Sequence, residues 1–467
     1  MRINNSHYSK TRRKNNIPRL PCPTGRQAAN GSQKVLIFGL GLNGGGIGSA
    51  KFFSRQGAKI TITDLKTQKA LKSSLKELSG CPDIKYVLGK HRLVDFLTSD
   101  LIVKNPAIPW DNHFLVKARA KGIPITTDAI VFFNQTPARI IGVTGTKGKS
   151  TTATLLAAIL KKKYRKVWLL GNIRESFLEK LPRIKTGDIV VAELSSFQLE
   201  DLALIKKSPQ IAVITNIFPD HLNRYASFNN YVKAKTNIFL YQKPEDHLVI
   251  NGNDKFLTKL IKNACLRRQA KAKRHLLKNK NLSPLEINTA LAAETAKILG
   301  VPAKKIAEMI KNFRGLAGRQ ELIRKFKNRI FINDTTATNP TAVIIALESL
   351  GKKYRRPIIL IAGGENKNLD YENLAAEINN RVKKLVLLPG SATEKLKKHL
   401  RINPILSSDG AVFFEVKNME EAVKKSCRIS QAGDLVLLSP GAASFNLFQN
   451  EFDRGDQFNK NVKKLRK

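Results

Sequence analysis

Residues Val143-Thr-Gly-Thr-Lys-Gly-Lys-Ser-Thr-Thr152 constrain this chain more than any other stretch. They follow an apolar run, Ala138 to Val143, that reads as a buried strand. They precede Ala153 to Leu160, which reads as a helix. Strand, glycine loop ending in Gly-Lys-Ser, then helix is an arrangement that holds a nucleoside triphosphate. Loop N–H groups and the positive end of the helix dipole face the phosphates. In such a loop Lys149 reaches the β/γ-phosphates and the Ser150 hydroxyl holds Mg²⁺. The loop is a variant of the general pattern, because Val143 stands where a glycine is usual, with Gly142 and Gly145 beside it.

A chain of 467 residues exceeds what one core serves and suggests about three domains. No run of about eighteen apolar residues is present, so no membrane-spanning helix is expected. The stretch 1–33 is basic, rich in Asn, Lys, Arg and Pro, and lacks the apolar centre of a secretory signal. It is expected to be a solvated tail, with a transit peptide as the weaker alternative. Cys22, Cys81, Cys265 and Cys427 are scattered, without metal spacing or a disulfide framework. A reducing cytoplasm fits them.

The net charge of +46, from 82 basic and 36 acidic side chains, raises the question of nucleic acid. The basic residues are spread along the whole chain, densest at Lys161–Lys166 and Arg267–Arg274, with no aromatic-interleaved stripe. An enzyme holding anionic substrates accounts for the charge more simply, and no specific nucleic-acid partner is expected.

Strand and helix patterns alternate along the chain, which argues for three α/β domains. The first, over 34–135, opens with the strand Lys34–Leu40 and the glycine loop Gly39-Leu-Gly-Leu-Asn-Gly-Gly-Gly-Ile-Gly48. A helix and the strand Lys59–Thr63 follow, closed by Asp64, so the start is Rossmann-like. Further strands are expected near Tyr86–Leu88, Leu101–Val103 and Ile123–Thr126. The second, over 136–314, is built on the phosphate loop, as in P-loop ATPases. Its later strands are Val167–Leu170, Asp188–Ala192, Ile211–Thr215 and His247–Ile250. The third, over 315–467, is again Rossmann-like, with strands Ile330–Ile332, Pro357–Ile361, Lys384–Leu388 and Asp434–Leu438.

Polar clusters sit where apolar strands end, the edge at which open α/β sheets bind ligands. Glu193 directly follows Val190-Val-Ala192 and is placed to ligate Mg²⁺ or to cap a helix. His221 ends Thr215-Asn-Ile-Phe-Pro-Asp-His221. Asn333-Asp-Thr-Thr-Ala-Thr-Asn339, Gly363-Gly-Glu-Asn-Lys367 and Ser439-Pro-Gly-Ala-Ala-Ser444 follow three further strands. Each alone reads as a turn or a site. Four in successive order make turns alone improbable, and Lys367 could bind a carboxylate. Lys235, in isolation, is a helix-surface lysine.

Together Thr144–Thr152, Glu193-Leu-Ser-Ser-Phe-Gln-Leu199, Asn333–Asn339, Leu438–Phe448 and Arg454-Gly resemble the Mur ligase family, from about Lys34 to the C-terminus. The Ser-Ser-Phe-Gln-Leu and Ser-Pro-x-x-Ala-Ser strings resemble its D-glutamate-adding members. The resemblance implies three domains, for a UDP-linked substrate, for ATP and for an amino acid. It implies ATP-driven amide formation through an acyl phosphate, with UDP-N-acetylmuramoyl-L-alanine and D-glutamate as substrates and ATP and Mg²⁺ as cofactors. A cytoplasmic monomer is expected.

By position, the resemblance gives Gly145, Thr146, Lys147, Gly148, Lys149, Ser150, Thr151, Asn288, Arg319 and Asp334 to ATP. It gives Ser150, Glu193, His221 and a carbamylated Lys235 to the metal, and Asn172 to the neighbourhood of the acyl-accepting substrate. Thr338, Lys367, Ser444 and Phe445 fall to the amino acid. Gly41, Leu42, Asn43, Gly44, Asp64, Asn105 and Pro106 fall to the UDP moiety. Lys149, Lys235, His221 and Asn172 form the implied catalytic set. The chain departs from the family at Arg174 (usually Gly), at Pro284-Leu285 (a His-Asn pair, with Asn288 remaining), at Thr336 (commonly Lys) and at Gly318 (commonly His before Arg319). Two alternatives stay open: a related ligase such as a folate-type polyglutamyl ligase, which the acceptor would discriminate, and a basic binding protein that lost turnover, which the charge and these departures support.

Overall fold

The computed structural model describes residues 33–465 apart from 42–43, 174, 223, 267–269, 279–281, 314, 401–412 and 445–446. The basic tail before Gln33, Leu42, Asn43, Arg174 and Phe445 lie outside the described residues. Three open sheets organise the chain, which makes it a three-domain α/β protein.

The first sheet holds β1 (Lys34–Phe38), β2 (Lys59–Asp64), β3 (Ile84–Leu88), β4 (Leu101–Lys104) and β5 (Ile125–Thr126) in the order β3-β2-β1-β4-β5. Every pairing is parallel. Parallel strands covered on both faces need near-continuous apolar runs, and Val35-Leu-Ile-Phe38 and Leu101-Ile-Val103 are buried throughout. The chain winds outward from β1 in both directions, so the switch point lies between the carboxyl ends of β1 and β4.

The second sheet runs β11-β10-β9-β6-β8-β7. Its strands are β6 (Arg139–Thr144), β7 (Val167–Gly171), β8 (Ile189–Glu193), β9 (Ile211–Ile214), β10 (His247–Asn251) and β11 (Lys273–Leu277). Here β6 is the first strand and pairs parallel with β8 and β9, so the switch point is the end of β6, where the phosphate loop begins. The third sheet runs β12-β13-β17-β14-β15-β16. It comprises β12 (Glu321–Phe326), β13 (Arg329–Asn333), β14 (Ile358–Gly363), β15 (Val382–Leu388), β16 (Phe413–Glu415) and β17 (Leu435–Leu438). Only β12 is antiparallel. The Asn333, Gly363 and Ser439 strings thus leave adjacent strands at one edge.

The described chain divides into two compact units. One comprises residues up to Ala138 with Leu170–Asp188 and Asp201–Lys207, and the other comprises Arg139–Leu169, Ile189–Glu200 and Ser208 onward. The two insertions join the first unit through packing. Phe177 stacks on Phe132 at 4.7 Å, and Ser176 abuts Gly48 so closely that a Cβ there would come within 1.9 Å of its hydroxyl. The second and third sheets share the second unit.

Three strands, β11, β12 and β16, were not expected from sequence. β11 lies in a basic stretch and β12 carries three charged residues in six; both are half-exposed edge strands. Charge on an edge strand blunts unwanted pairing and also erases the apolar alternation that reveals a strand. The departure at Pro284-Leu285 has a local reason. Pro284 is the first residue of the helix Pro284–Ile298, where its missing N–H costs nothing, and Ser283 with Glu286 closes a capping box.

Candidate active site

The phosphate loop is held from both sides. Thr146 N donates to Asn216 O at 3.0 Å and Lys147 N to Asn216 Oδ1 at 2.9 Å, while Asn216 Nδ2 returns to Lys147 O at 3.0 Å. The Thr146 hydroxyl donates to Phe218 O at 3.0 Å. Gly148 sits at φ 84°, left-handed backbone that glycine adopts without strain, and a Cβ there would strike the Asn288 amide at 2.2 Å. This contact places Asn288 against the start of the helix Lys149–Leu160. Ser150 and Thr151 lie buried in that helix's first turn.

Lys149 arches back over the loop, its Nζ donating to Gly145 O at 3.0 Å and Thr146 O at 3.1 Å. Burial lowers its pKa, with Glu193 opposing the shift and Arg319 adding to it. Glu193 ends β8 and is 2% exposed. Lys235, on the helix Phe228–Leu240, is also 2% exposed; its Nζ donates to Gly145 O at 2.9 Å and lies 4.8 Å from the Tyr231 ring centroid. Burial first, then the Lys149 charge, pushes its pKa well down. His221 is half-buried at φ 54°, packed against Phe197 and Tyr231. Burial, reinforced by Lys367, Lys235 and Lys149, drops its pKa to about 4 against the pull of Asp220. The imidazole is therefore neutral at pH 7, the state that ligates a metal.

The third sheet brings its strand ends to the same place. Arg319 Nη2 donates to Ser150 Oγ at 2.8 Å. Asp334 is buried, accepts from the Ser439 hydroxyl at 3.0 Å and from Gln320 N at 3.2 Å, and has its pKa raised by burial to about 6. Lys367 Nζ donates to Thr338 Oγ1 at 3.2 Å and pairs with Asp220 at 3.7 Å. Asn339 Nδ2 donates to Asp220 Oδ2 at 3.0 Å. Ser444 is buried at the end of the β17 loop. The expected ATP, metal and amino-acid residues that are described, all but Phe445, fall in one unit.

Asp220 and Asn216 carry much of this geometry, and neither was singled out from sequence. Their signal was the polar string after β9, in which only His221 drew attention. Arg454 was part of the family resemblance, but no role was assigned to it. It is 0% exposed, with Nη2 donating to Thr335 O at 2.8 Å, Nε to Thr335 Oγ1 at 3.2 Å and Nη1 to Ala442 O at 3.1 Å. One guanidinium thus fastens the Asp334–Thr338 loop to the Ala442–Ser444 loop. Arg454→Ala removes the guanidinium from the buried carbonyls of Thr335 and Ala442 and leaves the Thr335 hydroxyl only its bond to Glu451 O, and is expected to cost about 3–5 kcal/mol. Urea unfolding checks it; a midpoint within error of wild type would refute the role.

In the first unit, the described residues among those expected at the UDP moiety, all but Leu42 and Asn43, lie at the switch point. Asp64 Oδ2 accepts from Gly41 N at 3.0 Å, and Asn105 Nδ2 donates to Gly39 O at 3.3 Å. Gly44 caps the helix Gly45–Ser54. A Cβ on Gly46 would meet Leu40 O at 2.4 Å, so glycine lets this helix approach β1 closely. Pro106 follows Asn105 in the turn after β4. Asn172 occupies the turn after β7 and belongs to the first unit, apart from the unit that holds Lys149, Lys235 and His221. Lys104 and Asp201, also in the first unit, form a buried pair at 3.1 Å that sequence did not suggest.

Three family models match in chain order. They are the Mur ligase MurD-like N-terminal domain over 33–127, the Mur ligase middle domain over 143–309 and the Mur ligase glutamate ligase domain over 318–441. The UDP-N-acetylmuramoylalanine–D-glutamate ligase of Roseiflexus sp. (strain RS-1) is 38% identical over 466 residues, spanning 92% of this chain and 98% of its own. The ligase of the same name from Borreliella afzelii (strain PKo) is 38% identical over 455 residues, spanning 92% and 97%. Among solved structures, the UDP-N-acetylmuramate–alanine ligase of Thermotoga maritima shares the fold, with a TM-score of 0.59 at 19% identity over 92% of this chain and 99% of its own. Three domain matches in order, each on a sheet whose carboxyl edge carries the expected polar strings, together with identity along nearly the whole chain, place this protein in the Mur ligase family.

Proposed function

We propose that this chain adds D-glutamate to UDP-N-acetylmuramoyl-L-alanine at the expense of ATP, in peptidoglycan precursor synthesis. The observation that carries the reading is the meeting in one unit of the phosphate loop, through Ser150 with Arg319 and through Lys147 with the Thr336 carbonyl, and of Thr338 with Lys367. The relatives named above support the choice of amino acid and acceptor.

The substrate carboxylate attacks the γ-phosphorus, the bond to the ADP oxygen breaks, and an acyl phosphate forms. The amine of D-glutamate then attacks the acyl carbon, and phosphate leaves. Such transfer needs positioning and charge neutralisation, not a protein nucleophile. Lys149 supplies positive charge at the phosphates, and Arg319 supplies it from the facing sheet, hydrogen-bonded to the Ser150 hydroxyl. The donor set suits Mg²⁺: a buried carboxylate (Glu193), a hydroxyl (Ser150), a neutral imidazole (His221) and, if carbamylated, Lys235 would hold it. When bound it neutralises phosphate charge. The UDP moiety falls to Gly41, Gly44, Asp64, Asn105 and Pro106, where loop N–H groups and a helix N-terminus meet. Among the described residues no helix is long and apolar enough to cross a membrane. A monomer working in the cytoplasm, where UDP-linked precursors and ATP are found together, completes the reading.

The test is phosphate release from ATP and Mg²⁺ with UDP-N-acetylmuramoyl-L-alanine and a panel of amino acids. Release should require both the UDP substrate and D-glutamate. Release with a pteridine-type acceptor instead would move the chain to the folate-type ligases. No release from folded, ATP-binding protein would sink the ligase reading.

A further inference from the structure

Lys147 belongs to the phosphate loop by sequence, yet its side chain leaves it. Its Nζ donates to Thr336 O at 2.7 Å and reaches Thr338 Oγ1 at 3.5 Å. Lys367, arriving from the end of β14, touches the same Thr338 hydroxyl at 3.2 Å. Two ammonium groups therefore converge on one hydroxyl at the edge of the third sheet. The direction is built in, because both backbone groups of Lys147 are clamped by Asn216. Asp220 lies 3.7 Å from Lys367 and its charge also acts on Lys147, whose direct partners are two neutral oxygens; burial, with Lys367, Lys149 and Arg319 around it, outweighs that carboxylate and lowers the Lys147 pKa to about 7. Thr336 adds no cation here, since its hydroxyl is spent on Gly318 O at 3.1 Å.

Lys147 and Lys367 meet at one hydroxyl, with Lys149 and Arg319 also acting on Lys147, so the single Asp220 carboxylate leaves an excess of positive charge there. A ligand with two carboxylates turns that excess into attraction. A ligand with one carboxylate offsets less of that excess in a half-buried site. We infer that Lys147 is a specificity residue for the incoming amino acid: its ammonium holds one carboxylate of a dicarboxylic amino acid while Lys367 holds the other. This rests on the ligase reading above and deepens it. It also gives the phosphate loop a side chain in the amino-acid pocket, so nucleotide and amino acid share one structural element.

The test compares wild type with Lys147→Met and Lys147→Arg, measuring KM for D-glutamate and for ATP, and the preference for D-glutamate over D-glutamine. Losing one charge-assisted contact should raise the D-glutamate KM of Lys147→Met by about 30-fold and shrink the preference. The ATP KM should stay within about threefold, and Lys147→Arg should recover part of the loss. A raised ATP KM with the D-glutamate KM unchanged would overturn the inference in favour of a phosphate ligand, and two unchanged constants would also overturn it. Wild-type turnover tests the underlying reading separately: if the wild type does not use D-glutamate, the reading fails and this inference with it. A wild type that works beside a variant with no KM split sinks the inference alone.

Discussion

Lys149→Ala should fold normally and lose about a thousandfold in kcat for ATP-driven phosphate release, because it deletes the loop's own cation where charge develops on the transferring phosphoryl group. The fold should survive because the side chain's hydrogen bonds are to two carbonyls of its own loop, Gly145 O and Thr146 O, and because Asn216 holds that loop independently. The chemistry should not survive. Lys149 is a half-buried ammonium whose charge is disfavoured by desolvation and by Arg319. Phosphate oxygens compensate it, so its stabilisation grows as nucleotide charge builds. Lys149→Arg should rescue little, since a planar guanidinium does not fit between two carbonyls spaced for one ammonium. Kinetics beside a thermal melt separate the outcomes. A folded variant that keeps more than about a tenth of wild-type kcat would show that Lys149 does not carry transfer.

The sheets were legible because parallel strands buried on both faces leave long apolar runs: Ile140–Val143, Ile211–Ile214 and Ile358–Ala362 are buried end to end. The site's outline was legible for a related reason. A short polar string directly after such a run must lie at the sheet's carboxyl edge, and four of them do. What stayed hidden depends on pairing across the chain. Asp220 meets Asn339 across 119 positions, and Arg454 meets Thr335 across the same span. Nothing local to Arg454 distinguishes a buried staple from a surface arginine on the helix Glu451–Lys463. The direction of Lys147 was hidden too. Loop membership suggested a phosphate ligand, whereas in the fold Thr215 and Asn216 hold the Lys147 backbone and its ammonium meets Thr336 O. Lys235 shows the converse. By sequence it sits on a helix face like any lysine, and the fold buries it beside Gly145.

That burial sets the second large effect. An ammonium at 2% exposure beside Lys149 is unfavourable, so the amine form of Lys235 is favoured well below the ordinary lysine pKa. A neutral amine is a nucleophile. In the carbamylation proposed for Lys235, that nitrogen would add to CO₂, the carbonyl π electrons moving to oxygen and an N–H proton leaving, to give a carbamate. Charge at the site then changes from positive or zero to negative, and the repulsion with Lys149 becomes attraction. An anion there, near Glu193, also converts a cluster dominated by cations into one that can hold Mg²⁺. Lys235→Ala and Lys235→Arg, neither of which can form this carbamate, should each lose on the order of a hundredfold in kcat. Wild-type activity should fall in CO₂-depleted buffer and return with bicarbonate, whereas neither variant should respond. The pH dependence follows in sign: lowering pH protonates the amine and drives the carbamate apart, so bicarbonate should protect activity most on the acid side. Full wild-type activity in CO₂-free buffer, from protein whose intact mass carries no adduct, would show that Lys235 works as an amine, leaving Ser150, Glu193 and His221 to hold the metal alone.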